Sequence, residues 1–309
     1  MDKKEITIFC KNDGKNHRIE MGGTLGDLAR KWCKTVTDPK TGHKLDVIAA
    51  LVDNQLKELD YRPILFHQVE FIGFNHADGR RCYLRSLCFT LQNAVRALHP
   101  DKVLVVDHSL PSGLYSELHE IGKMEDGRAK VHFVTDEEID AIKDKMKEII
   151  AKDLPFTKVK MFSEEAQEIF LKNNQPHKAI LQKSVGTFTC SVYYLDGNAD
   201  SFHGPLIPST GFLKTFDITG IGDGFCLQGP KMTDFTKVMP MKRHTKVAAT
   251  LKDYSNWCSI IGIDSVGTLN SAIKAGRAVE IINLAEALHE RNYSKIADKI
   301  TRTVSRNGS

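Results

Sequence analysis

The stretch that decides the fold is residues 83–100, YLRSLCFTLQNAVRALHP. Its apolar side chains recur at intervals of three, four and seven residues, the pattern of one face of a helix about four turns long. Pro100 ends this helix, because a proline cannot continue it. A stripe of this width must be buried, so we expect the helix to lie on a β-sheet. The stripe consists of Leu84, Leu87, Cys88, Leu91, Val95 and Leu98.

The segments after this helix supply the expected sheet. KVLVVDHSL and GLYSEL, at 102–110 and 113–118, flank a Pro-Ser-Gly turn. AKVHFV follows, and later VGTFTCSVYYL, FLKTFDITGI and GFCLQGP alternate as strands do. The GDG at 222–224 lies between two apolar alternating runs and predicts a hairpin turn.

Two more helices are predicted beside these strands. DEEIDAIKDKMKEIIAK follows Thr135, which forms a capping box with Glu138. EEAQEIFLKN follows Ser163, which we expect to cap the helix. With strands and helices both present, the fold class of residues 75–230 is α+β.

The first 74 residues form a smaller unit of the same class. ITIFC and HRIEM read as a hairpin around an Asp-Gly turn, and TLGDLARKW reads as a helix capped by Thr24 and Asp27. Residues 231–309 differ, because a Pro- and Lys-rich stretch, KVMPMKRHTK, leads into mostly helical patterns. The chain ends at RNGS directly after a helix, which predicts a truncation ahead of a further domain.

Composition describes an ordinary soluble protein. The 309 residues include 43 basic and 39 acidic residues, so the formal net charge of +4 permits contact with nucleic acid without indicating it. The 7 cysteines are scattered and form no CxxC pair, which is typical of reduced thiols. With no leader-like or membrane-spanning apolar run, we expect a cytoplasmic protein that does not enter a membrane.

Familiar catalytic motifs are absent from the sequence. GxxxxGK[ST], HExxH and GxSxG do not occur, and no two histidines share a helical face. His108 and His203 lie at strand ends beside turns, where functional residues often lie. A histidine bonded to loop backbone is the alternative for each, because a zinc site needs three or four converging ligands.

Tyr83, Arg85 and Phe89 lie near the start of the long helix and off its apolar stripe. They are positioned to line a groove. The alternative is a solvated arginine beside a partly buried aromatic ring.

Three segments in one order resemble the editing domain that threonyl- and alanyl-tRNA synthetases share. They are YLRSLCFTLQNAVRALHP, VDHSLPSGLYSEL and FHGPLIPSTGFLKTFDI, and the block before them resembles the small β-grasp TGS domain of threonyl-tRNA synthetase. The resemblance therefore implies a TGS-like domain at 1–74, an editing-like domain at 75–230 and a linker with helices at 231–309.

The residues that give the editing domain its chemistry are replaced here. In the synthetases the helix carries HxxxH and the last segment carries a cysteine, Gly-Pro and a histidine. The resemblance places Arg85 and Phe89 at the two helix positions, and Phe202 and Leu206 at the cysteine and histidine positions. Phenylalanine and leucine neither bind a metal nor move a proton, so no catalytic residue and no metal site are predicted.

The order of modules, with the helices that follow, also resembles the N-terminal half of uridine kinase-like nucleoside kinases. That resemblance implies a kinase domain in cis after residue 309, to which ATP and Mg would belong, and no cofactor in this chain. The main hypothesis is then a non-catalytic region that binds a nucleotide, RNA or a tRNA-like ligand. Its predicted ligand-binding residues are Tyr83, Arg85, His108, Tyr115, His203 and Lys214.

Two alternatives remain open. One is a freestanding deacylase for mischarged tRNA that uses His203 or His108 as its base. The other is a docking or dimerisation platform, in which a homo-oligomer or a kinase core covers the apolar stripes of the C-terminal helices.

Overall fold

The computed structural model describes residues 5–125, 128–242 and 245–307. It confirms a mixed α+β fold with a helical C-terminal segment. In these ranges no helix is long and apolar enough to cross a membrane. Arg243 and His244 of the predicted linker and the final Gly308 and Ser309 lie outside the described residues.

The N-terminal segment forms a five-stranded sheet, a separate two-stranded sheet and one helix. The sheet order is β2-β1-β7-β5-β6, and β1 runs parallel to β7 while β2 pairs antiparallel with β1. Its elements are β1 (Glu5–Cys10), β2 (Lys15–Glu20), α1 (Leu25–Trp32), β3 (Thr35–Thr37), β4 (Lys44–Asp46), β5 (Ala49–Val52), β6 (Gln55–Lys57) and β7 (His67–Ile72). The predicted capping box of Thr24 and Asp27 starts α1, which confirms that prediction.

The long central helix, α2 (Ala77–Leu98), begins about two turns earlier than its apolar stripe indicated. The His76 side chain accepts a hydrogen bond from the backbone of Asp78 and so caps it. The helix passes so close to the end of β7 that a Cβ on Gly79 would lie 2.0 Å from the carbonyl oxygen of Gly73. Only a glycine fits this approach.

The middle of the chain supplies two further sheets of three or more strands and one two-stranded sheet. Its elements are β8 (Lys102–Leu110), β9 (Gly113–Glu125), β10 (Arg128–His132), α3 (Asp136–Ala151), β11 (Thr157–Phe162), α4 (Ser163–Lys172), α5 (Pro176–Val185), β12 (Thr189–Leu195), β13 (Asn198–Asp200), a 3₁₀ turn (Thr210–Phe212), β14 (Asp217–Ile221), β15 (Gly224–Gln228), β16 (Pro230–Lys231) and β17 (Asp234–Val238). One sheet has the order β10-β9-β15-β14 with β8 paired to β9, and the other has the order β11-β12-β13.

The expected sheet covers α2, and α3 packs beside it. Leu87, Leu91 and Val95 of α2 are fully buried in one core with Leu118 of β9 and Phe225 of β15. The capping box of Thr135 and Glu138 and the turn between β14 and β15 are both confirmed.

The prediction for Ser163 was wrong in detail. Phe162 is the N-cap of α4, and Ser163 is the first helical residue. The Ser163 hydroxyl donates to the carbonyl oxygen of Thr187, so it fixes the chain ahead of β12 instead of capping the helix.

Three helices end the chain: α6 (Thr245–Ile260), α7 (Val266–Lys274) and α8 (Ala278–Asn307). The helical pattern expected near the end of the chain is one continuous helix over residues 278–307, because no glycine or proline interrupts it. α7 packs on α5, where the amide of Asn270 donates to the Ser184 hydroxyl at 3.0 Å.

Candidate functional site

The loop from Phe202 to Thr210 is fixed against α2 by polar contacts. The Arg85 guanidinium donates to the carbonyl oxygen of Pro205 through Nε at 3.1 Å and Nη2 at 3.0 Å, and Nη1 donates to that of His203 at 3.3 Å. The hydroxyl of Ser86 accepts from the backbone of Ile207 at 3.0 Å. α2 therefore sets the position of the loop.

Gly204 is required in this loop. Its φ is +121°, a conformation that favours glycine, and a Cβ there would lie 3.0 Å from Nη2 of Arg85. The hydrogen bonds from Arg85 to the loop therefore depend on Gly204, because a Cβ at this position would crowd the guanidinium.

Aromatic carbon fills the space between helix and loop. The rings of Phe89 and Phe202 lie 5.2 Å apart, Phe89 is fully buried, and Leu206 is 2% exposed. These side chains offer no lone pair to a metal ion. In the part of the chain that the structure describes, no group of three or more His, Cys, Asp or Glu could hold one.

A lysine and an aspartate form an ion pair beside the Phe202 ring. Lys178 of α5 contacts the carboxylate of Asp200, at the end of β13, and donates to the carbonyl oxygen of Ser201 at 3.1 Å. Its Nζ lies 5.0 Å from the centre of the Phe202 ring. The Asp200 residue is only 2% exposed.

Burial lowers the pKa of Lys178, and the positive charge of Arg96 acts in the same direction. The ion pair with Asp200 favours the charged amine. The pKa of Lys178 lies below that of an exposed lysine, and desolvation is the largest cause of the shift. Lysines of this kind act as bases or nucleophiles in enzymes.

A network of polar side chains joins α2 to β13 near Lys178. The amide of Asn198 donates to Oδ1 of Asn93 at 2.7 Å. Arg96 donates through Nη1 to Asn198 at 3.4 Å and through Nη2 to the carbonyl oxygen of Asn173 at 3.1 Å. This network holds Arg96 in place near Lys178.

A surface cavity, here called the larger cavity, is lined in part by Phe202. It has a volume of about 440 Å³ and lies between residues 56–61 and β12. Glu58 lies at its side, where it accepts a hydrogen bond from the Tyr193 hydroxyl and lies 2.9 Å from Nζ of Lys158. Burial, together with the charge of Glu58, raises the pKa of Asp60. A volume of this size is ordinary for a small-molecule site.

A smaller cavity of about 220 Å³ lies near the C-terminal end of α2. Arg96, Lys102 and Lys172 line it with the amides of Asn173 and Asn174, and none of its described lining residues is acidic. The carboxylate of Asp101 lies just outside this cavity, 3.3 Å from Nζ of Lys102, and offsets part of the positive charge of the cavity. The lining suits an anion such as a phosphate.

Three of the six predicted ligand-binding residues lie near the loop. Tyr83 is buried, and its hydroxyl donates to the carbonyl oxygen of Thr215 at 3.0 Å. Arg85 directs its donors to the loop backbone, and His203 is exposed at the tip of the loop.

The other three lie elsewhere. His108 and Tyr115 stack at 4.8 Å on β8 and β9, and the Tyr115 hydroxyl donates to Glu117 at 2.9 Å. Lys214 is exposed, 3.7 Å from the carboxylate of Asp46. None of the six lines either cavity. Their roles in binding stay predictions.

Sequence reasoning missed Lys178 and Asp200. The helix that carries Lys178 has ordinary signals, because Pro176 stands at its first turn and Gly186 ends it in the left-handed conformation. These signals could have predicted the helix. They do not predict the ion pair, which depends on how α5 packs against β13.

Comparisons with known proteins bear on the same segments. The chain is similar to threonine–tRNA ligases. It is 27% identical to that of Clostridium kluyveri over 221 residues, 71% of this chain and 32% of the relative. It is 29% identical to that of Halorhodospira halophila over 188 residues, and 26% identical to that of Thermotoga neapolitana over 229 residues. These last two matches cover 60% and 73% of this chain, and 28% and 32% of the relatives.

The chain thus spans about a third of the length of the curated relatives it matches. No family model matches it.

These relatives correct the main functional hypothesis. They are threonine–tRNA ligases, not nucleoside kinases. The prediction of a regulatory region attached to a uridine kinase-like domain is therefore wrong. It rested on the order of modules and on the C-terminal helices, whose apolar patterns are common to many helical segments. The alternative of a tRNA-editing type of domain is the better supported one.

Proposed function

We propose that this chain is an editing-type domain, which binds the aminoacylated 3′ end of a tRNA and hydrolyses the ester. The observation that carries the proposal is the Lys178–Asp200 pair beside Phe202. It places a lysine of lowered pKa next to the loop that resembles the editing site. The similarity to threonine–tRNA ligases supports tRNA as the substrate class.

In the proposed reaction Lys178 in its neutral form is the general base. Its Nζ takes a proton from a water molecule while the water oxygen adds to the ester carbonyl carbon. The bond from that carbon to the ribose oxygen then breaks, and the ammonium returns a proton to the ribose oxygen. One water is consumed, and the products are a free amino acid and a tRNA with a free hydroxyl. Asp200 orients the amine throughout.

In this proposal the two cavities bind different parts of the aminoacylated tRNA. The larger cavity, beside Phe202, has room for the aminoacyl end. The smaller, cationic cavity takes a phosphate of the RNA backbone. Arg96 follows Phe89, whose ring packs on Phe202, by seven residues on α2, which is about 10 Å along the helix.

The test is hydrolysis of purified seryl-, threonyl- and alanyl-tRNA by the intact chain. We expect release of the amino acid above the rate without protein for at least one of them. Binding of these tRNAs without release would contradict the catalytic part of the proposal. Failure to bind any of them would contradict the proposal as a whole.

The cationic cavity gives a separate prediction for tRNA affinity. Replacing both lysines, Lys102→Gln and Lys172→Gln, should weaken binding and lower the slope of log K against log salt by about 0.7–0.9 for each phosphate that is no longer neutralised. Fluorescence anisotropy with labelled tRNA over a range of salt concentrations measures this. Lys31→Gln, which changes a lysine of α1 remote from the cavity, is the matched control. An unchanged slope in the double variant would rule out this cavity as the phosphate site.

A further inference from the structure

The larger cavity is lined by two parts of the chain that are far apart in sequence. Residues 56–61 of the N-terminal segment contribute to it, as do Lys158 of β11, Tyr193 of β12 and Phe202. Glu58 joins the two parts, because it accepts a hydrogen bond from the Tyr193 hydroxyl and lies 2.9 Å from Nζ of Lys158. The N-terminal segment therefore supplies charged groups to a cavity beside the loop that contains Phe202.

In the described part of the chain, four charged side chains line this cavity and three of them have a partner. Glu58 and Lys158 form an ion pair. Nζ of Lys57 lies 5.4 Å from the centre of the Tyr61 ring. The carboxylate of Asp60 has no ion pair with any described residue. It is the one lining charge that is left for a ligand.

The surroundings of Asp60 disfavour its negative charge. Partial burial is the largest cause, and the neighbouring charge of Glu58 adds to it, so the pKa of Asp60 is raised. Lys158, which is paired with Glu58, acts in the opposite direction, and so does Arg62. A cation bound beside Asp60 would relieve the cost of its charge, whereas an anion would increase it. This position therefore suits a positively charged group.

The aminoacyl end of a tRNA carries such a group. Its carboxyl group is esterified and uncharged, so the protonated α-amino group is the charge common to all aminoacyl ends. A carboxylate binds an ammonium ion through a charge-assisted hydrogen bond. An N-acylated amino acid, as in a peptidyl-tRNA, has a neutral amide in this place and would leave the carboxylate unpaired.

We propose that Asp60 binds the α-ammonium group of the aminoacyl end, so that the site selects aminoacyl-tRNA with a free amino group over N-acylated tRNA. The inference rests on the proposed function, which places the aminoacyl end in the larger cavity. Asp60 is then a specificity-determining residue from the N-terminal segment, whereas the proposed base, Lys178, comes from α5. A site built to pair with a polar group rejects an analogue that lacks it, because its own partner group is left unpaired.

Binding of unreactive analogues to the full chain tests this selection. Each analogue is an adenosine whose 3′ ester is replaced by an amide. One carries an alanyl group, and a second carries a propionyl group, which differs only in lacking the amine. We expect the alanyl analogue to bind about 10–100-fold more tightly in calorimetry at neutral pH, the usual contribution of a hydrogen bond to a charged group. A third, N-acetylalanyl analogue should bind no better than the propionyl one.

Asp60→Asn should remove most of this preference, because asparagine keeps the shape of the side chain and loses its charge. Thermal unfolding should show no loss of stability, since the charge that is removed is a disfavoured one. Asp253→Asn, which changes an exposed aspartate of α6 outside the cavity, is the matched control and should keep the preference.

The outcomes separate this inference from the proposed hydrolysis. Equal affinity of the parent chain for the alanyl and propionyl analogues would overturn the role of Asp60 and leave the hydrolysis standing. A preference that survives in Asp60→Asn would do the same, because the amine would then bind elsewhere. The expected preference in a chain that does not hydrolyse aminoacyl-tRNA would support Asp60 and contradict only the catalytic step. If neither analogue binds, both proposals fail.

Discussion

Lys178→Met should lower the rate of aminoacyl-tRNA hydrolysis by about 10²–10⁴-fold, the usual contribution of a positioned general base. Methionine keeps the unbranched shape of the side chain but cannot accept a proton. The affinity for tRNA should change little, because the proposed phosphate contacts at Arg96, Lys102 and Lys172 are unchanged. Single-turnover hydrolysis and anisotropy, measured on the same preparation, separate the two quantities.

The fold needs its own control, because Lys178→Met leaves the buried Asp200 carboxylate without its ion-pair partner. Such a loss costs about 3–5 kcal/mol in buried pairs, less here because the lysine is partly exposed. The double variant Lys178→Met, Asp200→Asn removes the unpaired charge and should recover stability but not hydrolysis. Lys183→Met, on the same helix, should leave both unchanged. Full activity in a folded Lys178→Met variant would disprove the role of this amine.

The pH dependence follows from the same pKa. A base acts in its deprotonated form, and the pKa of Lys178 is lowered by burial, so the hydrolysis rate should rise as the pH increases through that lowered pKa. An exposed lysine would give this rise only near its ordinary pKa of about 10.4. A rate that is flat from acid to neutral pH, after correction for spontaneous hydrolysis, would argue against Lys178.

Gly79→Ala should destabilise the protein strongly. The added Cβ would lie 2.0 Å from the carbonyl oxygen of Gly73, so either α2 or the end of β7 must move. Overpacking of this kind costs about 1–3 kcal/mol or more, and the obstacle here is backbone that cannot rotate away. We expect a loss of roughly 3 kcal/mol, equivalent to a fall in Tm of about 6–12 °C.

Gly23→Ala is the matched control, because the nearest atom to its added Cβ is 3.9 Å away, an ordinary contact. Gly79 lies in α2, where helix propensity alone would favour alanine over glycine by about 1 kcal/mol. A loss of stability in Gly79→Ala would therefore have to come from the close contact with Gly73. Thermal unfolding followed by circular dichroism measures both variants. A Gly79→Ala variant as stable as the parent would mean that α2 does not approach β7 this closely.

Local signals in the sequence predicted much of the fold. The stripe on α2 required a sheet, and the capping boxes at Thr24 and Thr135 marked the starts of their helices correctly. Such features depend on residues a few positions apart. Ser163 misled because its hydroxyl bonds to Thr187, 24 residues away, in preference to its own helix.

The candidate site was harder to predict for the same reason. Arg85 was predicted to bind a ligand, and in the fold its donors bond to the carbonyl oxygens of His203 and Pro205, more than 100 residues away. Lys178 meets Asp200 only because α5 packs beside β13. The residues that replace the editing-site side chains did identify α2 and the loop from Phe202 to Thr210 as neighbours. They could not identify Lys178, whose amine lies beside them.

The ring of Phe202 contacts both the larger cavity and Lys178. It lines the cavity, and Nζ of Lys178 lies 5.0 Å from its centre. The π-electrons of an aromatic ring attract an ammonium ion, so this ring favours the protonated amine. A molecule in the cavity that turned the ring aside would remove that attraction, and Lys178 would then release its proton more readily. Occupancy of the cavity is thereby linked to the charge of Lys178.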